Sequence, residues 1–351
     1  MRKLKIVIAA ILIVALMAGI TACGSKSAPA ETQAAVSETT QAAASQVAET
    51  TAGPKKLKKV RIGFFGNTCE AGIFAAYEKG FFKAEGLDVE LIKGDANTLK
   101  DGLATNKIDI TDGLLNQWLK PIEQGLNARF VAGIHTGCIQ VLVPSDSTIT
   151  AKDFKGKTIG VPAMGGGPMI LVSRLLYQAG LDSKTDVTWK VFPNAELPIA
   201  LEKGEVDVIA VADPFAQIQV NSGKAKSIYD SAVSEPFNRE YCCLAVSNGT
   251  LLEKDPSTVA ATTRAILKGA EWVNSNQEEI AKIMVEKKYV PGDAAVNAQV
   301  LATYNYMPSV EGGQQAVITG AKEMKEIGVL DKDTDADALA KAAFVKLDGV
   351  Q

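Results

Sequence analysis

Histidine is nearly absent from this sequence, since the 351 residues contain only His135. A His-rich zinc site and any mechanism that needs two histidines are therefore excluded. Cysteine is also scarce, because five residues are too few for a fold built on disulfides. The chain has no excess of positive charge, with 37 lysines and arginines against 40 acidic residues. A net charge of −3 argues against nucleic acid as the main partner, which needs a basic surface.

Motifs that would indicate an enzyme are incomplete. The glycines of residues 160–166 have P-loop spacing, but no Lys-Ser/Thr pair follows them. The dinucleotide pattern G-x-G-x-x-G follows neither of the predicted first strands. Residues 331–335 lack the turn glycine of a calcium loop, and no nucleophile elbow accompanies His135. The sequence therefore predicts no catalytic residue and no cofactor.

The amino terminus has the pattern of an export signal. Residues 1–22 begin with Arg2, Lys3 and Lys5, continue in an apolar run and end in small residues. This is typical of a signal peptide, and a retained membrane anchor is the alternative. Residues 20–23, Ile-Thr-Ala-Cys, resemble the bacterial lipobox. That resemblance implies cleavage before Cys23 and lipidation of its sulfur, with two or more acyl chains because one chain binds only reversibly.

Residues 23–57 are predicted to be a disordered tether that follows the lipidated cysteine. Between Gly24 and Lys59 there is no aromatic residue and no leucine except Leu57. Such a segment cannot bury enough apolar surface to offset the entropy of ordering it. The remainder of the chain has no second apolar run long enough for a membrane span, so we expect a soluble body.

The body contains an internal echo. Residues 60–64 match residues 157–161 at an offset of 97, and residues 103–110 match residues 201–208 at an offset of 98. A third pair, residues 88–91 and 186–189, has the same offset of 98. Each unit reads strand, helix, strand, helix, strand, and this alternation predicts parallel sheets with helices on both faces.

Candidate ligand-binding residues follow the carboxyl ends of the predicted strands, where open α/β sheets bind their ligands. From these loops we select Asn67, Thr68, Cys69, Asp112, Asn116, Met164, Gly165, Gly166, Gly167 and Asp213. Residues 165–167 precede a helix, whose free N–H groups suit an anion; a simple tight turn is the alternative. The other loops carry Glu70, Asp112 and Asp213 but no arginine or lysine. A neutral, zwitterionic or cationic ligand therefore stays open.

Three segments of the body, residues 79–90, 153–161 and 204–215, resemble motifs of ABC-transporter solute-binding proteins for nitrate, sulfonates, taurine and thiamine precursors. Residues 79–90 resemble the family's G-F-F-x-x-x-G-L-x-V stretch, and residues 153–161 resemble D-L-K-G-K-x-I-G-V. Residues 204–215 are similar to the family's G-x-V-D-A segment and the proline that follows it. Because these three motifs occur in the family's order and spacing, residues 58–330 resemble the nitrate/taurine (NitT/TauT), or SsuA/THI5-like, group.

The resemblance implies an α/β fold of the type II periplasmic-binding class. Two α/β lobes would be joined by two crossover strands, residues 139–143 and 241–246, with a ligand cleft between them. Lobe 1 is then residues 58–145 plus 242–351, and lobe 2 is residues 146–241.

The resemblance also implies a receptor without enzymatic activity. Such a protein captures a small polar molecule outside the cell, anchored to the membrane by its lipid, and delivers it as a monomer to an ABC permease with its ATPase. A THI5-like enzyme or a ligand sensor on the same fold is the alternative.

The remaining cysteines and the histidine are predicted to converge. In a type II fold, His135, Cys138 and the pair Cys242-Cys243 would approach the hinge side of the cleft, near Cys69. His135, Cys138 and Cys242 therefore join Cys69 among the candidate ligand-binding residues, although no metal ligand is assigned. The set would suit a soft metal, a haem-like or thiol-containing ligand, or a disulfide between Cys69 and Cys138. Ordinary packing of small apolar side chains is the alternative.

Overall fold

The computed structural model of the protein describes residues 56–351. The predicted signal peptide, Cys23 and all but the last two residues of the predicted tether lie outside the described residues. Within residues 56–351, no helix combines the length and the apolar character that a membrane crossing requires.

The described residues form two β-sheets. A six-stranded sheet has the order β11-β4-β10-β3-β1-β2, and a five-stranded sheet has the order β7-β6-β8-β5-β9. The strands are β1 Lys58–Phe64, β2 Leu87–Lys93, β3 Ile110–Leu114, β4 Ala128–Thr136, β5 Ile139–Pro144, β6 Thr158–Val161, β7 Thr188–Val191, β8 Val208–Ala212, β9 Ala225–Asp230, β10 Tyr241–Asn248 and β11 Asn305–Ser309.

Helices connect most of the strands. They are α1 Ala71–Glu78, α2 Phe81–Ala84, α3 Ala96–Ala104, α4 Leu115–Glu123, α5 Gly167–Gln178, α6 Leu197–Glu202, α7 Phe215–Asn221, α8 Gly249–Lys254, α9 Pro256–Val273, α10 Gln277–Glu286, α11 Ala294–Leu301, α12 Val310–Glu326 and α13 Ala336–Ala343. The glycine run of the sequence lies where predicted, since Gly166 caps α5 and a proline occupies the first turn of that helix.

The internal echo is a structural repeat. In the six-stranded sheet β1 lies between β2 and β3, in the other sheet β6 lies between β7 and β8, and all four pairings are parallel. The equivalent aspartate of each unit accepts the same kind of backbone hydrogen bond. Asp109 Oδ2 accepts a 2.8 Å hydrogen bond from the backbone N–H of Arg61, and Asp207 Oδ2 accepts one of the same length from Thr158. The echoed sequence therefore encodes a repeated strand pairing.

The chain passes between the sheets twice. Strand β4 ends at Thr136 in the six-stranded sheet, and β5 begins at Ile139 in the five-stranded sheet. The return runs from the end of β9 at Asp230 to the start of β10 at Tyr241. Strand β5 pairs with β8 and β9 and so belongs to the five-stranded sheet. The sequence-based prediction, which placed β5 in lobe 1, differs from this pairing. The lobe boundaries themselves stay a prediction.

The longest helix, α9, packs its apolar face inward as its periodicity predicts. Val259, Ile266, Ala270 and Val273 are all buried. These positions recur at the spacing of one helical face, so the burial follows from the sequence pattern.

Candidate ligand-binding site

A cavity of about 520 Å³ lies among the carboxyl ends of strands from both sheets. Its walls come from the end of β3 and from the segments at the ends of β1, β2, β6 and β7, with Cys138 from the passage between β4 and β5 and Cys243 from strand β10. This volume is in the range of small-molecule sites, and its position is where open α/β sheets bind ligands. The cavity is therefore the candidate site.

Several polar atoms on the cavity wall are buried without a hydrogen-bond partner among the described residues. They are three potential acceptors and one donor: Asn67 Oδ1, Asp112 Oδ1, Asn194 Oδ1 and Gln117 Nε2. An unpaired buried polar atom costs about 1–3 kcal/mol, so native proteins rarely leave one without a partner or water. The cavity wall thus contains more unpartnered potential acceptors than donors, which favours an occupant that donates hydrogen bonds.

Buried carboxyl groups surround the cavity. Burial raises the pKa of Asp112 well above its usual range, with His135 opposing and Cys69 adding to the shift. Burial also raises the pKa of Glu70 to about 7, against three backbone hydrogen bonds that its carboxylate accepts. Lys93 is the one lysine or arginine on the described wall. The charge of the site therefore differs from that of an anion site built on guanidinium groups.

A third buried carboxyl group, Asp213, supports the site from behind. Its Oδ1 accepts hydrogen bonds from Gln140 Nε2 and from the backbone N–H of Gln217, each 3.0 Å long. Its Oδ2 accepts a 3.1 Å bond from Tyr304. Burial raises the pKa of Asp213 to about 7 despite these bonds. Asp213 therefore links β5, α7 and the segment before β11 through hydrogen bonds.

The four cysteines of the described chain meet beside the cavity, and all are free thiols. Cys138 Sγ lies 3.2 Å from Cys242 Sγ and 3.8 Å from Cys243 Sγ. The sulfurs of Cys242 and Cys243 are 3.7 Å apart. The ligand atoms of Cys69, His135 and Cys243 lie within 4.8 Å of one another. The predicted convergence of thiols and imidazole is confirmed as a geometric fact.

Two of these thiols have opposite pKa shifts. Hydrogen bonding to Cys242 is the main cause that raises the pKa of Cys138 to about 12. Burial acts to raise the pKa of Cys242, but hydrogen bonds with Cys138 and Cys243 outweigh it and lower that pKa to about 7. Cys242 is therefore the thiol that ionises first.

The structure brings five of the predicted site residues onto the cavity wall. These are Asn67, Cys69, Asp112, Cys138 and Gly166. They occupy the loops after β1 and β6, strand β3 and the first passage between sheets. Their role in ligand binding stays a prediction.

The other predicted site residues lie off that wall. Thr68 is buried behind it, where its hydroxyl donates a 2.7 Å bond to Asn297 Oδ1. Met164 is 58% exposed, and a β-carbon on Gly167 would meet Leu114 at 2.3 Å. The remaining off-wall positions are Gly165, His135, Asp213, Asn116 and Cys242. Asn116 and Cys242 line a separate cavity of about 280 Å³.

Sequence reasoning missed several residues of the wall. Glu70, Lys93, Gln117 and Asn194 line it, and only Glu70 had been noted, for its charge. Lys93 ends β2 and Asn194 follows β7, so both lie at the carboxyl ends of strands, where open α/β sheets bind ligands. Cys243 lines the cavity, whereas Cys242 had been chosen. Cys242 lines the separate cavity of about 280 Å³ instead.

Comparisons with known proteins bear on the whole body. A family model described as NMT1-like matches residues 53–286. A putative thiamine biosynthesis protein of Haemophilus influenzae is 26% identical over 48% of this chain and 52% of its own length. The nitrate/nitrite binding protein NrtA of Synechococcus elongatus is 23% identical over 77% of this chain and 66% of its own length. The chain thus spans between half and two thirds of these curated relatives.

A solved structure shares the fold. The ligand-binding component of an ABC-type import system from Staphylococcus aureus, solved with zinc bound, superposes with a TM-score of 0.67 at 21% identity. The match covers 82% of this chain and 99% of that one. A Candida albicans protein described as having the generic periplasmic binding protein fold superposes with a TM-score of 0.70 at 18% identity, over 84% of this chain and 98% of that one. The predicted fold, two α/β sheets of the periplasmic-binding class, is confirmed.

Proposed function

The chain belongs to the NMT1-like family, and on that premise we propose that it is the extracytoplasmic solute-binding receptor of an ABC importer. It captures a small polar molecule in the 520 Å³ cavity and delivers it to a permease with its ATPase. The family match agrees with the sequence resemblance to nitrate- and sulfonate-binding receptors. The names of the nitrate-binding relative and of the S. aureus import component support the proposal.

The observation that carries the proposal is the set of unpartnered polar atoms on the cavity wall. Asn67, Asp112 and Asn194 line the same cavity, and each has a buried side-chain oxygen without a hydrogen-bond partner among the described residues. A ligand that enters this space supplies the missing partners and recovers the cost of leaving them unpaired. Capture and release by such a surface requires no covalent step.

The same atoms favour a ligand rich in N–H donors, such as a protonated amine or an amino-substituted heterocycle. The wall residues have three unpartnered potential acceptor atoms and one unpartnered donor atom, and the wall includes the carboxyl groups of Asp112 and Glu70. A cationic ligand would also stabilise Asp112 in its ionised form, because an opposite charge favours ionisation. The nitrate of the S. elongatus relative has the opposite character.

A thermal-shift screen with purified full chain tests this proposal. The probes are an aliphatic diamine, an aminopyrimidine, a basic amino acid, nitrate and an alkanesulfonate. We expect an N–H donor to raise the melting temperature, because a ligand that binds only the native state stabilises it. The affinity should increase with pH, since Asp112 must lose its proton to pair with a cation.

We expect Asp112→Asn to weaken binding about ten- to hundredfold, the value of one charge-assisted hydrogen bond, and to reduce the pH dependence to the part that arises from Glu70. Asn116→Ala is the matched control, because Asn116 lines the other cavity and should leave the affinity unchanged. Binding of nitrate or sulfonate in place of the amines would contradict the ligand class. An affinity that depends on Asn116 and not on Asp112 would move the site.

The two sheets support two lobes, which we infer to be residues 58–136 plus 241–351 and residues 139–230, with β5 in the second lobe and not in the first as the sequence predicted. The chain passes between the sheets at residues 137–138 and 231–240. Few-residue connections of this kind can absorb the backbone rotation of a hinge. The lobes would close on the ligand about these two segments.

The lipid anchor at Cys23 completes the proposed receptor. Its support is the lipobox-like sequence Ile-Thr-Ala-Cys of residues 20–23. Cys23→Ala should remain unprocessed or be released from the membrane fraction, because the variant has no sulfur to carry the lipid. Metabolic labelling with a fatty acid checks this result, with Cys69→Ala as the matched control that should label normally. Lipid on the Cys23→Ala chain would refute the anchor.

The alternative is an enzyme or sensor related to thiamine biosynthesis. Its support is the 26% identity to the H. influenzae protein over half of its length. Mass spectrometry of a bound ligand after incubation separates the two functions. A receptor returns the ligand unchanged, whereas an enzyme converts it.

A further inference from the structure

We propose that the cluster of Cys69, His135, Cys138, Cys242 and Cys243 holds one thiophilic metal ion beside the ligand cavity. The cluster contains two possible ligand sets that share Cys243, one with Cys138 and Cys242 and one with Cys69 and His135. The site takes Zn²⁺ or Cu⁺, since both prefer thiolate and imidazole ligands. This inference goes beyond the proposed function, and the metal is tested without any organic ligand. The two proposals therefore fail independently.

The spacing of the sulfur atoms fits a metal-thiolate site. With metal–sulfur bonds of about 2.3 Å, two thiolates of a tetrahedral site lie about 3.8 Å apart. The observed separations of 3.7 Å and 3.8 Å from Cys243 to Cys242 and to Cys138 match this distance. Cys138 and Cys242 are closer, at 3.2 Å, and would separate slightly around an ion. Three thiolates are thus already arranged around a common centre.

The sheet register places His135 beside these sulfurs. On β10, Cys243 lies directly opposite His135 of β4, and on β11 Tyr306 lies opposite the same histidine. Cys242 occupies a β-bulge, because Tyr241 pairs with Thr136 while Cys243 pairs with His135. The bulge allows both cysteines of the pair to approach the imidazole. Cys243 belongs to the same possible ligand set as His135, and Cys242 Sγ lies 3.6 Å from Nδ1, the ring nitrogen on the side of the Thr136 carbonyl. Two consecutive residues of a regular strand would point to opposite faces.

His135 is oriented as a metal ligand. Its Nδ1–H donates to the backbone carbonyl of Thr136 at 3.2 Å, which leaves the lone pair on Nε2. That Nε2 is fully buried and has no hydrogen-bond partner among residues 56–351. A metal-bound histidine typically donates its other ring N–H to a carbonyl in this way. Tyr304 and Tyr306 flank the ring, with centroids 5.7 Å and 5.1 Å away, and hold its plane.

Backbone contacts fix the cysteine positions independently of the thiols. Ser231 Oγ accepts a 3.0 Å bond from the N–H of Cys138, and the hydroxyl of Tyr306 donates a 2.9 Å bond to the carbonyl of Cys69. The four cysteines come from three separate parts of the chain, and they are all the cysteines of the described residues. Apolar packing alone gives no reason for this convergence, whereas a shared ion does.

The test uses the reduced full chain, stripped of metal under anaerobic conditions and then titrated with Zn²⁺ or Cu⁺ alone. We expect one ion per chain by elemental analysis and retention of that ion against a competing chelator. Substitution with Co²⁺ should give the intense near-ultraviolet absorption of cobalt–thiolate bonds, which reports sulfur ligation without any variant.

Variants then assign the ligands. Cys243→Ser and Cys138→Ser should weaken metal binding by more than about hundredfold, since loss of even an indirect partner of a metal ligand costs about ten- to hundredfold. His135→Gln should weaken it as well, because the imidazole is lost while a polar side chain is kept. Met164→Ser is the matched control, since it removes a sulfur atom from an exposed side chain and should retain the ion.

Three results would overturn the proposal. They are a reduced chain that binds neither ion, a Co²⁺ complex without the thiolate absorption, and metal binding that Cys138→Ser and Cys243→Ser leave unchanged. If a variant fails to fold, the Co²⁺ spectrum of the unaltered chain still decides between thiolate ligation and its absence.

Discussion

Replacing Gly269 with alanine is expected to lower the free energy of unfolding by roughly 2 kcal/mol, because forcing extra volume into a packed interface costs about 1–3 kcal/mol and a clash with backbone atoms lies at the upper end. A β-carbon on Gly269 would lie 2.1 Å from the carbonyl oxygen of Gly72 and 2.9 Å from the backbone nitrogen of Ala76. Both atoms belong to the backbone of α1, so α1 and α9 must separate to admit the methyl group. Alanine favours a helix by about 1 kcal/mol over glycine, which offsets only part of the cost.

Urea unfolding of the full chain, followed by tryptophan fluorescence, measures this change. Trp272 lies in α9 itself and reports directly on the interface. Glu271→Ala is the control, because Glu271 is exposed on the same helix and its change should have little effect. If Gly269→Ala unfolds at the same urea concentration as Glu271→Ala, the close approach of α1 and α9 is wrong.

Arg174→Gln should destabilise the protein by about 2 kcal/mol, below the 3–5 kcal/mol of a fully buried pair because its partners are partly hydrated. Arg174 on α5 is 8% exposed and forms ion pairs with Glu240 at 2.7 Å and with Glu323 of α12 at 2.8 Å. Its guanidinium also covers the ring of Phe237 at 4.0 Å. The two carboxylates, with side chains 30% and 33% exposed, lose their shared cation in the variant.

The pH dependence of this deficit tests its cause. Burial raises the pKa of Glu323, and Glu240 adds to the shift while Arg174 opposes it. Without Arg174 the carboxylates repel each other, so folding favours their protonated forms and the lost stability should return as the pH falls. Arg239→Gln is the matched control, because the ion pair of Arg239 with Glu235 is exposed and contributes about 0–1 kcal/mol. Equal effects of the two arginine variants at neutral pH would refute the bridging role of Arg174.

Local pattern determined the repeated architecture of this protein. The echoed segments predicted two parallel units, and they fold as β2-β1-β3 and β7-β6-β8 with Asp109 and Asp207 in equivalent hydrogen bonds. The apolar spacing of α9 likewise predicted its buried face. The buried face of α9 depends only on residues within that helix, and each repeated unit depends on pairing between neighbouring strands. Patterns of this kind can be recognised in a single sequence.

The strand-end rule located the cavity but did not select its wall. Asn67, Cys69 and Asp112 were found because they follow predicted strands. Gln117 lies in the first turn of α4 and gave no signal in the sequence, because its exposure to the cavity depends on how that helix packs. The same packing explains why the adjacent Asn116 lines a different cavity.

The tertiary structure alone decided how the thiols and the imidazole meet. The sequence placed His135, Cys138 and the Cys242-Cys243 pair near the hinge, but not which sulfur lies at which distance. Those distances depend on the antiparallel register of β4 with β10 and on the bulge at Cys242. Register joins residues more than a hundred positions apart, and one extra residue in a strand changes which side chains share a face. No pattern within either segment records that choice, because it is made only when the two strands pair.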